Sequence, residues 1–391
     1  MNYILFDDAT TRSNLKPLTF TRPTADLRVG ITTIREKWDS YLNAKTSTLT
    51  ENYLEKKFPT IKKANNVLID GSVIPNADLV EQVKKLKVNQ AISCGDTIVA
   101  YRLDAEGLEG NSEGTSESME EIEFSGDLIK VNYLWDLFLL NDELIRKDFL
   151  RLTKGRKSQK INKTNIIIGD EKQIFIEKGA KIEGAVLNAE TGPIYIGENA
   201  EIMEGARIRG PFAMNENAVV KMGASVYGAT TIGPYAKVGG EVENVIFIGF
   251  SNKPHEGFLG NSVVGEWCNI GAGTNSSNLK NTYDEINIWS YTWETFEKTG
   301  QQFCGLFMGD HTKVAIQTSF NTGTIIGVGA NIFGHGLQRN FIPSFTWGGK
   351  QYDVNKAIEV AERMYERRGK TFDKTEADIL KRIFKITHAY R

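Results

Sequence analysis

The sequence predicts an α/β domain followed by a parallel β-helix of hexapeptide repeats that ends in two helices. Three observations carry this reading. Strand-like and helix-like segments alternate up to about residue 150, an aliphatic residue then recurs every six positions, and the C-terminal tail returns to helical spacing.

The α/β part is expected over 1–155. "NYILF" and "NNVLID" read as short buried strands, and "QAISCGDTIVAYRL" as a further one. "TTIREKWDSYL" sets Ile34, Trp38 and Tyr41 or Leu42 at helical spacing, and "ADLVEQVKKLK" does the same for Leu79, Val83 and Leu86. Such alternation favours a largely parallel sheet flanked by helices. The acidic "DAEGLEGNSEGTSESMEEIE" reads as an exposed loop. "VNYLWDLFLLNDELIRKDFLRL" reads as a closing helix before the basic linker "TKGRKSQKINKTN".

The repeats are expected over 165–345. Ile176 and Ile182 open the series, and Ile196, Ile202, Ile208, Met214, Val220, Val226, Ile232 and Val238 follow in steps of six. The phase returns at Val264 and Ile270, and again at Met308, Val314, Phe320, Ile326 and Ile332. A period of six belongs neither to an α-helix nor to an alternating sandwich strand; it is one flat face of a parallel β-helix, three faces making a coil. The aliphatic side chain points into the narrow interior, and the small residues after it permit sharp corners. The breaks at 239–263 and 275–307 are expected to project as loops, which in solenoids often form the binding face. Residues 351–391 are expected as two helices, "DVNKAIEVAERMYERR" and "KTEADILKRIFKITHAY", with no chemistry assigned to them.

Composition narrows the function. Charged residues are 25% and the formal net charge is −2, so no basic surplus points to nucleic acid. No apolar run is long enough to span a membrane, and "MNYILFDDATTR" is too acidic for a signal peptide. The 3 cysteines lack metal-type pairing, which suits reduced thiols in a cytoplasmic protein.

A solenoid core lined by aliphatics leaves chemistry to residues outside the hexad register. His255, in "SNKPHEGFLGNSVVG", is one of only 4 histidines and lies in a break between repeats. An imidazole ordinarily titrates near about 6.5, so it can accept a proton at neutral pH. The stretch "HEGFLGNSVVGEWCNIGAGTNSSN" resembles the acetyltransferase half of the bifunctional N-acetylglucosamine-1-phosphate uridylyltransferase/glucosamine-1-phosphate acetyltransferase family, in particular its archaeal and Bacteroidetes-type branch. Leu259 and Gly260 match that family's motif, as does the run Ile270, Gly271, Ala272, Gly273, Thr274. The resemblance implies a left-handed β-helix, with His255 as the base that deprotonates a sugar amine and Asn269 and Asn278 as sugar-site asparagines. It also implies that the backbone around Ala272 lines an acetyl-CoA groove. Phe258 stands where the family has tyrosine. The family's phosphate-binding cations have no ungapped counterpart, and Lys253, Lys280 and Arg209 are the expected substitutes because a sugar phosphate needs cations beside its dianion.

"LKPLTFTRPTADLRVG" resembles the signature of sugar-1-phosphate nucleotidyltransferases through Leu15, Pro17, Leu18, Thr19, Pro23, Leu27, Val29 and Gly30. It implies a Rossmann-like nucleotidyltransferase-like domain, here of reduced length. Thr11 and Arg12 survive from the preceding glycine-rich loop, whereas Asp8 and Thr10 occupy its glycine places. Thr24 replaces the signature lysine, and Arg22 or Arg28 could supply that charge. Asp70, in "IDGS", reads either as a Mg²⁺ ligand one step out of register or as a turn-forming Asp-Gly.

Together these resemblances imply a homotrimeric transferase of sugar-nucleotide biosynthesis. It would pass a nucleotidyl group from an NTP to a sugar 1-phosphate, with Mg²⁺, and an acetyl group from acetyl-CoA to an amino sugar phosphate. Two other readings stay open: an acetyltransferase with a degenerate nucleotide- or sugar-binding N-terminal domain, and a non-catalytic sugar-nucleotide-binding scaffold.

Overall fold

The computed structural model describes residues 1–110 and 119–391. It divides into two compact units. The first holds Met1–Leu15, Thr21–Leu27 and Thr32–Tyr133; the second holds Lys16–Phe20, Arg28–Ile31 and Leu134–Arg391.

The first unit is a six-stranded sheet with helices. Its strands are β1 (Asn2–Phe6), β2 (Ser47–Leu49), β3 (Asn65–Asp70), β5 (Gln90–Cys94), β6 (Thr97–Asp104) and β7 (Glu120–Glu123), in the order β2-β1-β3-β6-β5-β7. A small separate pair joins β4 (Val73–Ile74) to β8 (Ile129–Lys130). The helices are α1 (Ala9–Asn14), α2 (Ile34–Leu42), α3 (Ala77–Lys85) and α4 (Ala105–Gly110). Caps fix their starts: Thr33 and Glu36 form a reciprocal capping box on α2, and Asn76 accepts from the Leu79 amide at the head of α3.

The sheet is largely parallel with one reversed strand: β1, β2, β3, β5 and β7 run the same way, and β6 runs against them. The cause is local. "QAISCGDTIVAYRL" is not one strand but a hairpin, because Gly95 takes φ +55° and lets Cys94 pair with Thr97. The acidic segment also differs from a plain loop. It begins as α4 and ends as β7, which runs parallel to β5, while 111–118 lie outside the described residues.

The second unit is a parallel β-solenoid preceded by helix α5 (Asp136–Thr153) and followed by α6 (Val354–Arg367) and α7 (Lys374–Ile386). Every hexad residue named from the sequence, Ile176 through Ile332, lies in one continuous buried core. Successive coils stack in register: Ile196 on Met214 on Ile232, and Ile202 on Val220 on Val238.

The break at 239–263 does not project. Ile232 pairs with Phe247 and Phe247 with Val264, so shortened coils stay in the wall as the strands Glu241–Gly249 and Phe258–Glu266. Staying in the wall keeps their backbone groups paired. The break at 275–307 does contain a projecting antiparallel hairpin, Asn287–Ser290 with Thr295–Lys298. Helix α6 is anchored by aromatic stacking. Tyr235, Phe250 and Trp267 stack along one solenoid corner at 5.0 and 4.4 Å, and Tyr365 of α6 lies on Trp267 at 3.9 Å. Among the described residues no helix is long and apolar enough to cross a membrane.

The end of the nucleotidyltransferase-like signature serves this second unit. The Gly30 amide donates to Asn141 Oδ1 (2.7 Å), the Ile31 amide to Asp148 Oδ2 (2.9 Å), and Thr231 Oγ1 to the Gly30 carbonyl (2.9 Å). Gly30 has φ +72°, and a Cβ there would lie 2.8 Å from Asp148 Oδ2 and from the Leu144 carbonyl carbon. Gly30→Ala is therefore expected to lower stability by about 2 kcal/mol or more, read as a lower denaturant midpoint. An unchanged midpoint would show that the clamp is dispensable.

One charged residue sits in the aliphatic register. Lys253 pairs with Val238, so its side chain takes an inward hexad place; it is 2% exposed. Its Nζ donates to the Gly239 carbonyl (3.1 Å) and the His255 carbonyl (3.0 Å). Burial pulls its pKa down to about 8, with Glu256 opposing the shift. Between that value and the ordinary lysine value of 10.5 the unfolded chain binds the extra proton, so this lysine adds stability as pH rises through the window. Relative to Lys253→Met, the wild type should gain on the order of 1–3 kcal/mol from pH 7.5 to 10. A difference that stays flat with pH would place the ammonium in water.

Candidate active site

His255 occupies a solenoid corner between the strands Asn252–Lys253 and Phe258–Glu266. The corner is tight. Gly257 has φ +125° and a Cβ on it would run into the Thr274 carbonyl, while a Cβ on Gly240 would lie 2.8 Å from the His255 carbonyl oxygen. The backbone is also tied across coils, since the Gly273 amide donates to the Glu256 carbonyl (2.9 Å). The imidazole itself is exposed. The loop is thus fixed from behind by Lys253 and its front is left to solvent.

The exposed front opens into a groove of about 810 Å³. One wall is the outward side of a stacked ladder, in which Lys237 pairs with Asn252, Asn252 with Asn269, and Asn269 with Lys313. The other wall is α6, through Val360, Met364 and Arg367, with Arg368 at its end; Trp267 and Lys221 complete the lining. The ladder residues face outward because each sits one place before an inward hexad residue. Arg368 Nη2 donates to Asn252 Oδ1 at 2.9 Å.

The groove is cationic. Lys221, Lys237, Lys313, Arg367 and Arg368 line it, and among the described residues no carboxylate does. Burial first, then Arg368, Lys221 and Arg367, hold Lys237 below the usual lysine range, against the pull of Glu201. Burial and then Arg367 lower Arg368. Burial brings Lys313 down to about 8, with Cys268 and Asp310 opposing, and its Nζ donates to the carbonyls of Trp267 (3.0 Å) and His311 (2.6 Å).

His255 and Asn269 share this groove. The other sequence-predicted residues do not. Asn278 Nδ2 donates to Asn261 Oδ1 (2.8 Å), and Asn278 is not part of the groove lining. The Ala272 carbonyl accepts from the Gln317 amide (2.8 Å). The Phe258 amide donates to Asn275 Oδ1 (2.8 Å). Arg209 is exposed on the strand Arg207–Arg209, several coils before the histidine corner. Lys280 donates to the Glu285 carbonyl (2.5 Å), inside the 275–307 segment. Lys253 is corrected outright: an ammonium facing the core cannot meet a substrate phosphate.

The cations that do line the groove come from positions as distant as 221 and 368. Their signal in the sequence is real but diffuse. Lys237, Asn269 and Lys313 each directly precede a hexad aliphatic (Val238, Ile270, Val314), and Val360, Met364 and Arg367 recur at helical spacing.

The first unit answers the nucleotide expectation differently. Where a glycine loop would present free amides, Asp8 caps α1 and accepts from the Thr11 amide at 2.8 Å. Arg12 is 5% exposed; its Nη1 donates to Asp7 Oδ2 (2.7 Å) and to the Arg22 carbonyl (3.1 Å). Asp7 Oδ1 accepts from the Thr24 amide (2.8 Å). Arg22 is likewise buried. Arg28 belongs to the other unit, where it donates to the carbonyls of Ile31 (2.6 Å) and Ile248 (3.3 Å). The structure thus brings Arg12 and the Arg22 backbone together and leaves Arg28 apart.

Asp70 does not fit a resident Mg²⁺. It is 2% exposed, its Oδ1 accepts from the Ser72 amide (2.9 Å) and hydroxyl (2.6 Å), and its Oδ2 pairs with Lys130 Nζ at 2.9 Å. Among the described residues no cluster of three or more His, Cys, Asp or Glu side chains is placed to hold a metal. The turn-forming reading of Asp-Gly describes this geometry.

Residues 3–157 match the family model described as sugar nucleotidyl transferase. The match covers less than half of the chain. Among curated proteins, the chain is 35% identical over 91 residues to the bifunctional protein GlmU of Methanocaldococcus jannaschii, covering 22% of this chain and 21% of that one. It is 35% identical over 161 residues to the bifunctional sugar-1-phosphate nucleotidylyltransferase/acetyltransferase of Sulfurisphaera tokodaii, covering 40% and 37%. It is 26% identical over 221 residues to the GlmU of Carboxydothermus hydrogenoformans, covering 50% and 46%. The chain therefore spans less than half the length of these relatives.

Proposed function

We propose that this protein is a sugar-nucleotide biosynthesis transferase whose solenoid unit, residues 165–345 with the helices of 351–391, acetylates an amino sugar phosphate from acetyl-CoA. The carrying observation is that His255 and Asn269 meet in one groove on the outside of the solenoid. The sugar nitrogen reacts as the free amine, and His255 takes one of its protons as the nitrogen attacks the thioester carbonyl. The C–N bond forms, the C–S bond breaks, and CoA leaves as thiolate, to be protonated from the imidazolium. Asn269 orients the sugar, and amides of the corner backbone stabilise the oxyanion.

His255→Ala is expected to lower the rate of CoA release, with acetyl-CoA and glucosamine 1-phosphate as substrates, by 10²-fold or more. Asn269→Ala should cost roughly tenfold to a hundredfold. Asn278→Ala should cost less than Asn269→Ala, because its amide is already spent on Asn261. Equal turnover in wild type and His255→Ala overturns the assignment.

Residues 1–155 carry the second activity, nucleotidyl transfer from an NTP to a sugar 1-phosphate, supported by the family match and by the names of the bifunctional relatives. The phosphates would meet Arg12 and the start of α1, and any magnesium would enter with the nucleotide. A specific observation favours the reading of acetyl transfer alone: Asp8, Asp7–Arg12 and Asp70–Lys130 already satisfy the groups that a nucleotide would use. Pyrophosphate release from a panel of NTPs and sugar 1-phosphates separates the two readings; activity with one pair establishes the bifunctional enzyme, and silence with all leaves the acetyltransferase. Assembly as a homotrimer, expected from the resemblance, is read by light scattering as three times the 43.7 kDa chain mass.

A further inference from the structure

The two C-terminal helices carried no chemistry in the sequence, yet α6 forms a wall of the His255 groove and brings two arginines to it. We propose that α6 turns this groove into a phosphate-ester site, in which Arg367 and Arg368 of the helix and Lys221 and Lys237 of the solenoid bind the anionic part of a substrate reacting at His255. This rests on the acetyl-transfer reading for the identity of the reaction, but not for the chemistry of the ligand.

Three features support it. Five cationic side chains line one cavity from elements far apart in sequence, and no carboxylate among the described residues lines it with them. Like charges held together around an open groove repel one another, and a bound polyanion relieves that repulsion. The groove is rigid on one side: Trp267, which lines it, is sandwiched between Phe250 and Tyr365 of α6, so the helix and its arginines are held against the solenoid wall.

The phosphate could come from the acceptor sugar or from the adenosine bisphosphate end of CoA, and the test separates them. Isothermal titration of the full chain uses three probes: inorganic pyrophosphate, glucosamine 1-phosphate and adenosine 3′,5′-bisphosphate. Pyrophosphate should bind, with affinity that falls as salt rises. Stronger binding of glucosamine 1-phosphate than of the bisphosphate assigns the site to the acceptor, and the reverse assigns it to CoA. The double variant Arg367→Gln/Arg368→Gln should weaken the preferred probe by roughly tenfold or more. Lys237→Gln, on the solenoid wall and outside the Tyr365–Trp267 stack that docks α6, should weaken it in the same direction, which guards against a helix that has merely detached. His255→Ala should bind the probe as the wild type does. Its loss of turnover with binding intact separates the base from this site. No binding of any probe, or wild-type binding by the arginine double variant and Lys237→Gln, overturns the proposal.

Discussion

The constraint on which the rest depends is the width of the solenoid interior. One aliphatic side chain per hexad fills it, and each coil hydrogen-bonds to the next in register, so polar side chains are expelled to the outside and aligned there in columns. The column Lys237, Asn252, Asn269, Lys313 is a direct product of that rule. So is the exposure of His255 at a corner, where the chain leaves one face and has not begun the next. Lys253 is the exception, and its cost is limited by two carbonyl partners and a lowered pKa.

That exception has a structural consequence. The carbonyl of His255 is one of the two groups that hold the buried ammonium, so the core charge and the exposed imidazole share a backbone anchor. The corner is also braced by Gly240 and Gly257, where larger residues would collide with neighbouring backbone. The proposed acetyl transfer would need such fixation, because a proton acceptor that wanders loses the alignment on which its rate contribution depends. In the first unit the same logic runs the other way. Asp8 closes the head of α1 upon itself, and Arg12 and Asp70 are neutralised by partners within a few ångströms. That region is built from satisfied charges, whereas the His255 groove gathers charges of one sign.

Much of the solenoid was legible in the sequence because its period is strict: each named hexad residue is in the core, and α6 and α7 fall where helical spacing puts them. His255 and Asn269 were legible through a motif of fixed spacing. What escaped was whatever depends on register rather than on spacing. Lys253 looked like a surface cation until pairing with Val238 placed it inside. Lys221, Lys237, Lys313, Arg367 and Arg368 are separated by up to about 150 residues, and only coil stacking and the docking of Tyr365 on Trp267 gather them. Gly95 turned one expected strand into two, and Arg28 answered to the solenoid rather than to the nucleotide signature around it. Each of these misses is a case of tertiary context overriding local pattern.

The central claim is that the outward groove beside His255 is where an acetyl group meets an amino sugar phosphate. The most direct measurement is a crystal structure of the full chain with glucosamine 1-phosphate and CoA bound together. The account predicts the sugar nitrogen within hydrogen-bonding reach of His255, a ring hydroxyl on Asn269, and a phosphate among Lys221, Lys237, Arg367 and Arg368. Ligand density on a different face of the solenoid, with His255 and the α6 groove empty, would contradict it.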